Sequence, residues 1–363
     1  MAKALKLVFD TPWLEKISAV LQSHLTEFDI QAFQQSILVT EWPDMALKQR
    51  IRHVAIVLTH VLPSCYEEAL PILEKVAQEF TDLPHLVFTD FIELQGMHSP
   101  QRSLAALARL TEGCSAEFAV RPYIEQNQEE VLGLMLTWTS DQNEHIRRLA
   151  SEGCRPRLPW ANALVELKRN PEPIRPILEA LKTDQSAYVR KSVANNINDI
   201  SKDHPLWVLQ LCQQWKGQNP LTDWIIKHGL RSLLKQGNAQ ALFLLDYSQP
   251  DRVIVEAFKV APSVLIGQKH YFSAEIDFAD FLGGKVRLEY AITFLRKQAK
   301  PYRKVFKIGE SVPIDRIKKI SKAHDFKKIS TRKYYPGEHV LEILVNGHSL
   351  AKQTFLVRED ESN

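Results

Sequence analysis

Apolar side chains recur at every third or fourth position over roughly the first 260 residues. One such set is Ile51, Val54, Ala55, Leu58 and Leu62. This spacing places the apolar side chains on one side of an α-helix, so it predicts amphipathic helices. Prolines interrupt the pattern at Pro63, Pro71, Pro84, Pro100, Pro156, Pro171, Pro205 and Pro220. We therefore predict short, paired helices of roughly 10 to 18 residues that end near these breaks.

Two segments of this helical region share a pattern at a period of 43 residues. In Asp141–Arg147 and in Asp184–Arg190, an aspartate precedes an apolar residue by five positions and arginine follows that residue. A weaker third copy surrounds Asp223–Lys227. The period falls within the roughly 40 to 47 residues of HEAT-type helical pairs. Such pairs stack into a curved solenoid with a concave surface, so we predict a HEAT-like α-solenoid, with a helical bundle as the alternative.

The pattern changes after Pro262 to strict alternation of apolar and polar residues. The alternating runs are Tyr271–Phe278, Lys285–Ile292, His339–Val345 and Gln353–Val357. Asn346-Gly347 lies between the last two runs and predicts a hairpin turn. About six or seven short strands fit this length, which suggests a small β-sandwich of immunoglobulin type. The predicted domains are therefore residues 1–260, helical, and residues 263–360, β-sandwich.

Composition is that of a soluble protein, with 45% apolar and 25% charged residues. No apolar run reaches the roughly 20 residues that span a bilayer, and the N-terminus lacks a signal-peptide pattern. The cysteines are far apart, at Cys65, Cys114, Cys154 and Cys212. We expect no disulfide framework, no metal site and no membrane association, and we expect a reducing cytoplasmic location.

The positive charge is concentrated in the C-terminal part of the chain. Residues 263–363 hold 19 Lys and Arg against 12 Asp and Glu, a net charge of +7, whereas the remainder has a net charge of −4. The charge is densest in two runs, Arg296–Lys307 and Lys318–Lys333. We interpret these runs as inter-strand loops of a domain that binds a polyanion. A solvated lysine surface is the alternative.

The segment His145–Trp160 carries the most unusual chemistry of the chain. It reads as an amphipathic helix that ends at Gly153, followed by a basic loop, Arg155-Pro-Arg-Leu-Pro-Trp160. Arginine at this density suits phosphate oxygens. Glu152 lies in the last turn, against the negative end of the helix dipole, which makes it a candidate functional residue.

This segment, together with Tyr188–Pro205 and Ser115–Pro122, resembles the AlkC family of bacterial DNA alkylation-repair glycosylases. The resemblance covers essentially the whole chain. It implies hydrolytic excision of cationic N-alkylated bases, chiefly 3-methyladenine and also 3-methylcytosine, from duplex DNA without full base flipping. It implies no metal or other cofactor. We expect a monomer that needs no protein partner and is associated with the bacterial nucleoid.

Glu152, Asp199 and Trp160 fit the chemistry that the resemblance implies. The repeat aligns Asn195 with Glu152, and Asp199 lies one turn later, so the two carboxylates are expected to meet. We predict that they stabilise positive charge and orient water, while Trp160 packs on the lesion nucleotide. Glu117 is a third catalytic candidate, chosen from the resemblance alone.

Phosphate contacts are predicted for the basic residues around these positions and in the β domain. They are Arg147, Arg148, Arg155, Arg157, Arg190, Lys191 and Lys202 around the site, and Arg296, Lys297, Lys300, Arg303 and Lys304 in the β domain.

Each candidate also has an ordinary structural explanation. Glu152 would form only an i−4 ion pair with Arg148, Trp160 would be a core residue, and Glu117 would merely favour a helix start. Asp203 is interpreted as a helix N-cap before Pro205. For the whole protein, the alternatives are a non-catalytic adaptor and a structure-specific DNA-binding protein, because a fold alone establishes no activity.

Overall fold

A computed structural model describes residues 5–278, 281, 284–297, 300–328 and 333–359. Arg332, a member of the second basic run, lies outside the described residues. The chain forms two compact units. One comprises residues 1–204 and 215–229, and the other comprises residues 205–214 and 230–363.

The described part of the chain is helical up to residue 244. The helices are α1 Thr11–His24, α2 Ile30–Ile37, α3 Leu47–Val61, α4 Tyr66–Ala77, α5 Leu86–Gln95, α6 Pro100–Leu110, α7 Arg121–Gln126, α8 Gln128–Trp138, α9 Glu144–Gly153, α10 Val165–Arg169, α11 Arg175–Leu181, α12 Ala187–Ile200, α13 Pro205–Trp215, α14 Pro220–Gly229, α15 Arg231–Lys235 and α16 Ala239–Leu244. Short 3-10 turns lie at Leu5–Val8, Leu83–His85 and Glu172–Ile174. Within the described ranges, none of these helices has the length and apolarity that crossing a bilayer requires.

Proline marks the beginning of several helices, as its fixed φ and missing N–H allow. Pro100, Pro205 and Pro220 are each the first residue of a helix. Pro71 is different, because it lies inside α4, where a break was predicted. The apolar face of α4, which includes Leu70 and Leu73, is buried on both sides of this proline. Burial of that face outweighs the hydrogen bond that proline cannot donate, so the predicted break is wrong.

The 43-residue repeat is visible in the loops before α9 and α12. Arg147 Nη1 donates to the carbonyl oxygens of Asp141 and of the next residue, at 3.0 and 2.9 Å. Arg190 Nη1 donates to those of Asp184 and of the next residue, both at 2.8 Å. Arg147 also binds the Asp184 carboxylate through Nε, at 2.7 Å, and thereby joins the two copies. The repeated pair is therefore a real structural unit, while the solenoid itself stays a prediction.

The C-terminal part is a sandwich of two sheets. Its strands are β1 Ile254–Val260, β2 Ser263–Leu265, β3 Lys269–Asp277, β4 Val286–Phe294, β5 Tyr302–Ser311, β6 Ile317–Asp325, β7 Gly337–Val345 and β8 His348–Arg358. One sheet has the order β1-β3-β6 and the other has the order β2-β8-β7-β4-β5. Phe272 and Ile276 of the first sheet share one core with Ile292, Leu341 and Phe355 of the second. The prediction of a helical region followed by a β-sandwich is confirmed.

The four alternating runs correspond to β3, β4, β7 and β8, and the predicted turn joins the last two. Asn346 and Gly347 both have positive φ, 46° and 79°, as a two-residue hairpin of this kind requires. Asn346 Oδ1 also accepts a hydrogen bond from the Arg287 backbone N–H at 2.7 Å. The sheet begins earlier than expected, because β1 starts at Ile254, inside the predicted helical domain.

The basic runs divide between strands and the segments that join them, so their interpretation as inter-strand loops holds only in part. Arg303, Lys304 and Lys307 belong to β5, and Lys318 and Lys319 belong to β6. β5 and β6 are edge strands of their sheets, where one side of the backbone is unpaired. Charged side chains are tolerated there because they reach solvent and oppose pairing with another chain.

His339 is buried in the β core in a geometry that suits only the neutral ring. The hydrogen-bond partners assign its tautomer: Nδ1 donates to the Gly337 carbonyl at 3.1 Å, and Nε2 accepts from the Leu295 N–H at 3.4 Å. Burial lowers the pKa of His339, and burial also lowers the pKa of His270. A second proton on His339 would place two N–H groups against each other.

We predict that acidification weakens the β-sandwich in the full chain. Because the folded pKa values of His339 and His270 are lowered, the stability that they contribute is complete above the unfolded value of about 6.5. It is lost as the pH falls below that value towards the folded pKa. Hydrogen exchange of β7 and β8 amides, corrected for intrinsic rates, should accelerate between pH 7.5 and pH 5.5.

His339→Gln is the control, because glutamine donates and accepts without titrating in this range. It should be less stable at pH 7.5 but should lose less protection on acidification. An equal pH dependence in both proteins would show that His339 does not carry the effect.

Candidate active site

The basic loop begins where α9 ends, and Gly153 makes that ending possible. Gly153 is the last residue of this helix, as the sequence predicts. A Cβ on Gly153 would lie 2.5 Å from Cγ2 of Val120, so only glycine fits against the preceding segment. Glu152 is confirmed in the last turn of the helix and is 4% exposed.

The loop backbone is held by the side chain of Arg121. Its Nη1 donates to the carbonyl oxygens of Gly153 and Arg155 at 3.0 and 2.8 Å, and its Nη2 donates to that of Asn162 at 2.6 Å. Burial lowers the pKa of Arg121 to about 10, which leaves it charged at neutral pH. Arg121 thus supplies the donors that an irregular segment cannot find in its own backbone. Arg121 belongs to the segment Ser115–Pro122, and the sequence pattern alone predicts no role for it.

Arg155 lies between Glu152 and Asp199 and joins them. Its Nε and Nη2 both lie 2.8 Å from Asp199 Oδ2, and its Nη1 donates to Glu152 Oε1. All three residues are buried. Burial lowers the pKa of Arg155, but the two carboxylates outweigh burial and raise it above the ordinary value. The expected meeting of Glu152 with Asp199 is therefore seen in the fold, through a shared guanidinium.

Arg148 extends this row of charges to Glu117. Its guanidinium lies 3.0 Å from the Glu117 carboxylate and 3.5 Å from that of Glu152. It also donates to Ser115 Oγ at 2.7 Å and lies 4.7 Å from the centre of the Tyr188 ring. Glu117 is therefore part of the charged cluster, and its carboxylate does more than favour a helix start.

Three carboxylates and two arginines form this cluster, which we call the carboxylate row: Glu117, Arg148, Glu152, Arg155 and Asp199. Lys202 closes one end, with Nζ 2.9 Å from Asp199 Oδ1. Glu152 Oε2 is buried and accepts no hydrogen bond from the described residues. A buried carboxylate oxygen without a donor is costly, so a bound water or ligand would stabilise it.

Trp160 lies on the loop that leaves this row and is exposed to solvent. Its relative exposure is 59%, so the alternative of a core residue is wrong. Its φ is +65°, which is unusual for a residue with a side chain. A cavity of about 600 Å³ lies beside Trp160, with walls from α3, α5 and the turn around Phe118. The aromatic face is thus available to a ligand.

Most of the arginines predicted to contact phosphate also bind other parts of the protein. Arg147 and Arg190 hold the repeat loops. Arg157 forms a two-point ion pair with Asp203, at 2.7 and 2.8 Å, and the pKa of Asp203 is lowered mainly by this hydrogen bonding. Asp203 is therefore an ion-pair partner, and the residue directly before α13 is His204. Lys191 is exposed.

The predicted phosphate-binding residues of the β unit are mostly exposed. Arg296, Lys297 and Lys300 are exposed, Arg303 pairs with Glu342 at 2.7 Å, and Lys304 lies 5.4 Å from the ring centre of Phe306. Phosphate binding by these residues, and by those around the carboxylate row, stays a prediction. Among the described residues, no group of three or more His, Cys, Asp or Glu side chains is arranged so that it could hold a metal ion.

Comparisons with known proteins agree with this arrangement. A family model described as "DNA alkylation repair enzyme" matches residues 113–233. Another, the C-terminal Ig-like domain of the uncharacterised protein YhaZ, matches residues 254–359. The chain is 40% identical over 345 residues to uncharacterized protein YhaZ of Bacillus subtilis (strain 168), which covers 94% of this chain and 96% of the relative.

One solved structure matches nearly the whole chain. It is Pseudomonas fluorescens alkylpurine DNA glycosylase AlkC bound to DNA containing an abasic site analog. The TM-score is 0.93 at 36% identity, over 98% of this chain and 100% of that one. The fold and the matched segments define the class of DNA alkylation repair enzymes with a C-terminal Ig-like domain. Within that class, the chain belongs to the AlkC family of DNA alkylation-repair glycosylases, as its sequence indicates.

We predict that Arg155 contributes more to stability than any exposed arginine of the loop. Arg155→Met leaves the buried carboxylates of Glu152 and Asp199 without their shared cation, which should cost about 3–5 kcal/mol in the free energy of unfolding. Urea unfolding of the variant and of the wild-type protein at pH 7.5 measures this cost.

Arg157→Met is the matched control. Arg157 makes an equally well-formed ion pair with Asp203, but both side chains are partly exposed. Its loss should cost at most about 1 kcal/mol. Equal costs for the two variants would mean that burial of the Arg155 pair does not matter.

Proposed function

We propose that this chain is a monofunctional DNA glycosylase that excises cationic N-alkylated bases, chiefly 3-methyladenine and 3-methylcytosine. The observation that carries the proposal is the carboxylate row, together with the exposed indole of Trp160 on the loop that follows it. The family supports it, because the relative described as an alkylpurine DNA glycosylase was solved on DNA containing an abasic site analog. A glycosylase breaks the bond between C1′ of the sugar and the base, and carboxylates can stabilise the positive charge that develops as this bond breaks.

The chemistry follows from the charge of the lesion. A base alkylated at N3 is positively charged in DNA, so it leaves without a general acid. As the bond from C1′ to the base nitrogen breaks, its electron pair neutralises the base and positive charge develops on the sugar. Water then adds to C1′ and loses a proton. Carboxylates stabilise such an oxocarbenium-like sugar, as they do in glycosidases.

The residues divide this work. Asp199 and Glu152 would stabilise the sugar cation and orient the water, and Glu152 Oε2 is the oxygen that still lacks a hydrogen-bond partner among the described residues. Glu117 adds a third negative charge. Arg148 and Arg155 would hold the carboxylates in fixed positions, which makes their electrostatic field preorganised. Trp160 would pack on the lesion nucleotide, with a cation–π contribution of about 0.5–2 kcal/mol.

DNA would be held by the basic side chains around the row and on the β-sandwich, with release of counterions. Bending of the duplex would expose the lesion without full base flipping, at a cost of several kcal/mol that phosphate contacts offset. Such a protein would act as a monomer, without a protein partner, at the nucleoid in the cytoplasm. The chemistry described needs no cofactor.

We predict that the purified protein releases 3-methyladenine and 3-methylcytosine from methylated duplex DNA. Under single-turnover conditions, Asp199→Asn and Glu152→Gln should each lower the rate by about 10²–10³, the loss typical for one preorganised electrostatic group. Glu117→Gln and Trp160→Ala should lower it less. Chromatography of the released free bases measures the rates, and gel-shift titration measures DNA affinity.

Asp203→Asn is the control, because Asp203 lies just beyond α12 but pairs with Arg157 outside the carboxylate row. It should retain activity within about threefold, since exposed ion pairs contribute little. Tight DNA binding without base release would favour the structure-specific DNA-binding protein. Neither binding nor release would favour the non-catalytic adaptor.

A further inference from the structure

The indole of Trp160 is held in a conformation that its own backbone does not favour. With φ at +65°, Trp160 adopts the left-handed region, which costs energy for any residue with a Cβ. Pro159 and Trp160 are the central residues of a turn that a hydrogen bond from the Ala161 N–H to the Leu158 carbonyl closes at 3.3 Å, and a turn with proline followed by a positive φ is a known type. This turn accounts for the φ of Trp160, but it does not fix where the turn and its indole lie.

Close packing does not fix the position of the indole. The indole is more than half exposed, and the cavity of about 600 Å³ lies beside it. Side chains next to an open space lose the contacts that would otherwise fix a rotamer. The position of Trp160 therefore depends on hydrogen bonds from outside the turn to the loop backbone.

Lys48 makes the bond that reaches the Trp160 peptide itself. Its Nζ donates to the Trp160 carbonyl oxygen at 2.8 Å, whereas Arg121 binds the loop on either side of that residue. The same ammonium lies 4.5 Å from the ring centre of Phe118, the residue after Glu117. Lys48 belongs to the first turn of α3, so a helix fixes the base of its side chain.

We propose that Lys48 is a positioning residue that sets the orientation of Trp160 and couples it to the turn that carries Glu117. Lys48 acts through the Trp160 carbonyl and touches neither the reacting sugar nor the base. It lies 112 positions before Trp160 in the chain and outside residues 113–233, which the repair-enzyme family model matches. The effect on excision rests on the proposed function, whereas the effect on Trp160 does not.

The first experiment uses the free protein, without DNA. Lys48→Met keeps the length of the side chain but removes the donor and the charge. Trp160 emission is obtained as the difference between each protein and its Trp160→Phe counterpart, because the chain has seven tryptophans. We expect Lys48→Met to shift this emission and to increase its quenching by acrylamide.

Two further variants sharpen this test. Lys48→Arg should restore the emission, because guanidinium also donates to a carbonyl and stacks on an aromatic ring. Lys6→Met removes a similar exposed bond, from Lys6 Nζ to the Pro43 carbonyl, and should leave Trp160 emission unchanged. Unchanged emission in Lys48→Met would overturn the proposal, whether or not the protein excises bases.

The second experiment measures coupling in single-turnover excision. Lys48→Met should slow the chemical step by about threefold to tenfold, the range for one lost hydrogen bond. In the Trp160→Ala background the same change should have almost no further effect, because the two residues act as one unit. The KM for DNA should change less than the rate.

A phosphate contact by Lys48 would give a different result. It would weaken DNA binding uniformly, reduce the salt dependence of binding by about one phosphate, and add fully to the effect of Trp160→Ala. That combination would assign Lys48 to DNA binding and would contradict the positioning role. If the wild-type protein released no base, the proposed function would fail, but the emission measurements would still decide the role of Lys48.

Discussion

The guanidinium of Arg155 is the interaction on which the candidate site depends, because it lets two carboxylates lie inside the protein. Glu152 and Asp199 both lie in the last turn of a helix, where the helix dipole disfavours negative charge. Both are also almost fully buried. Without a shared cation, desolvation and repulsion between the two carboxylates would destabilise this arrangement of the helix ends. Arginine suits this position because its fork serves two acceptors at once.

That requirement explains the course of the chain after α9. Arg155 follows Glu152 by only three residues, so the backbone must turn at once to bring the guanidinium back between the two helix ends. Gly153 permits the turn to lie close against Val120. The resulting loop has few backbone partners of its own, and Arg121 supplies donors from a neighbouring segment. An irregular loop on rigid helices is a common way to present functional side chains.

Regular patterns of the sequence predicted a large part of the fold. Each predicted element buries one face, so its apolar residues recur at a regular spacing in the sequence. This holds for the helices, for the 43-residue repeat and for the strands β3, β4, β7 and β8. β5 and β6 were missed because charged residues fill their exposed positions and hide the alternation. The break predicted at Pro71 was wrong because that prediction considers only the effect of proline on its own helical turn. The buried face of α4 extends over both sides of Pro71 and keeps the helix continuous.

The candidate site was predictable in its carboxylates and less so in its arginines. Glu152 stood out because its position conflicts with the helix dipole, and the repeat related it to Asp199. The loop carbonyls that Arg147 and Arg190 bind could not be read from the sequence, because backbone carbonyls leave no residue-specific trace. The same holds for Arg121, whose acceptors are all carbonyl oxygens from a segment about 30 to 40 residues later in the chain.

The placement of lysine and arginine on β5 and β6 also bears on how the protein behaves at high concentration. These strands end their sheets, so one row of backbone N–H and C=O groups on each is free of a neighbouring strand within its sheet. Dense like charge along such a row repels the same row of another molecule. Screening by salt shortens the reach of this repulsion. The side chains that make this domain basic therefore also oppose self-association. Neutralising them would make the protein more prone to associate at high concentration.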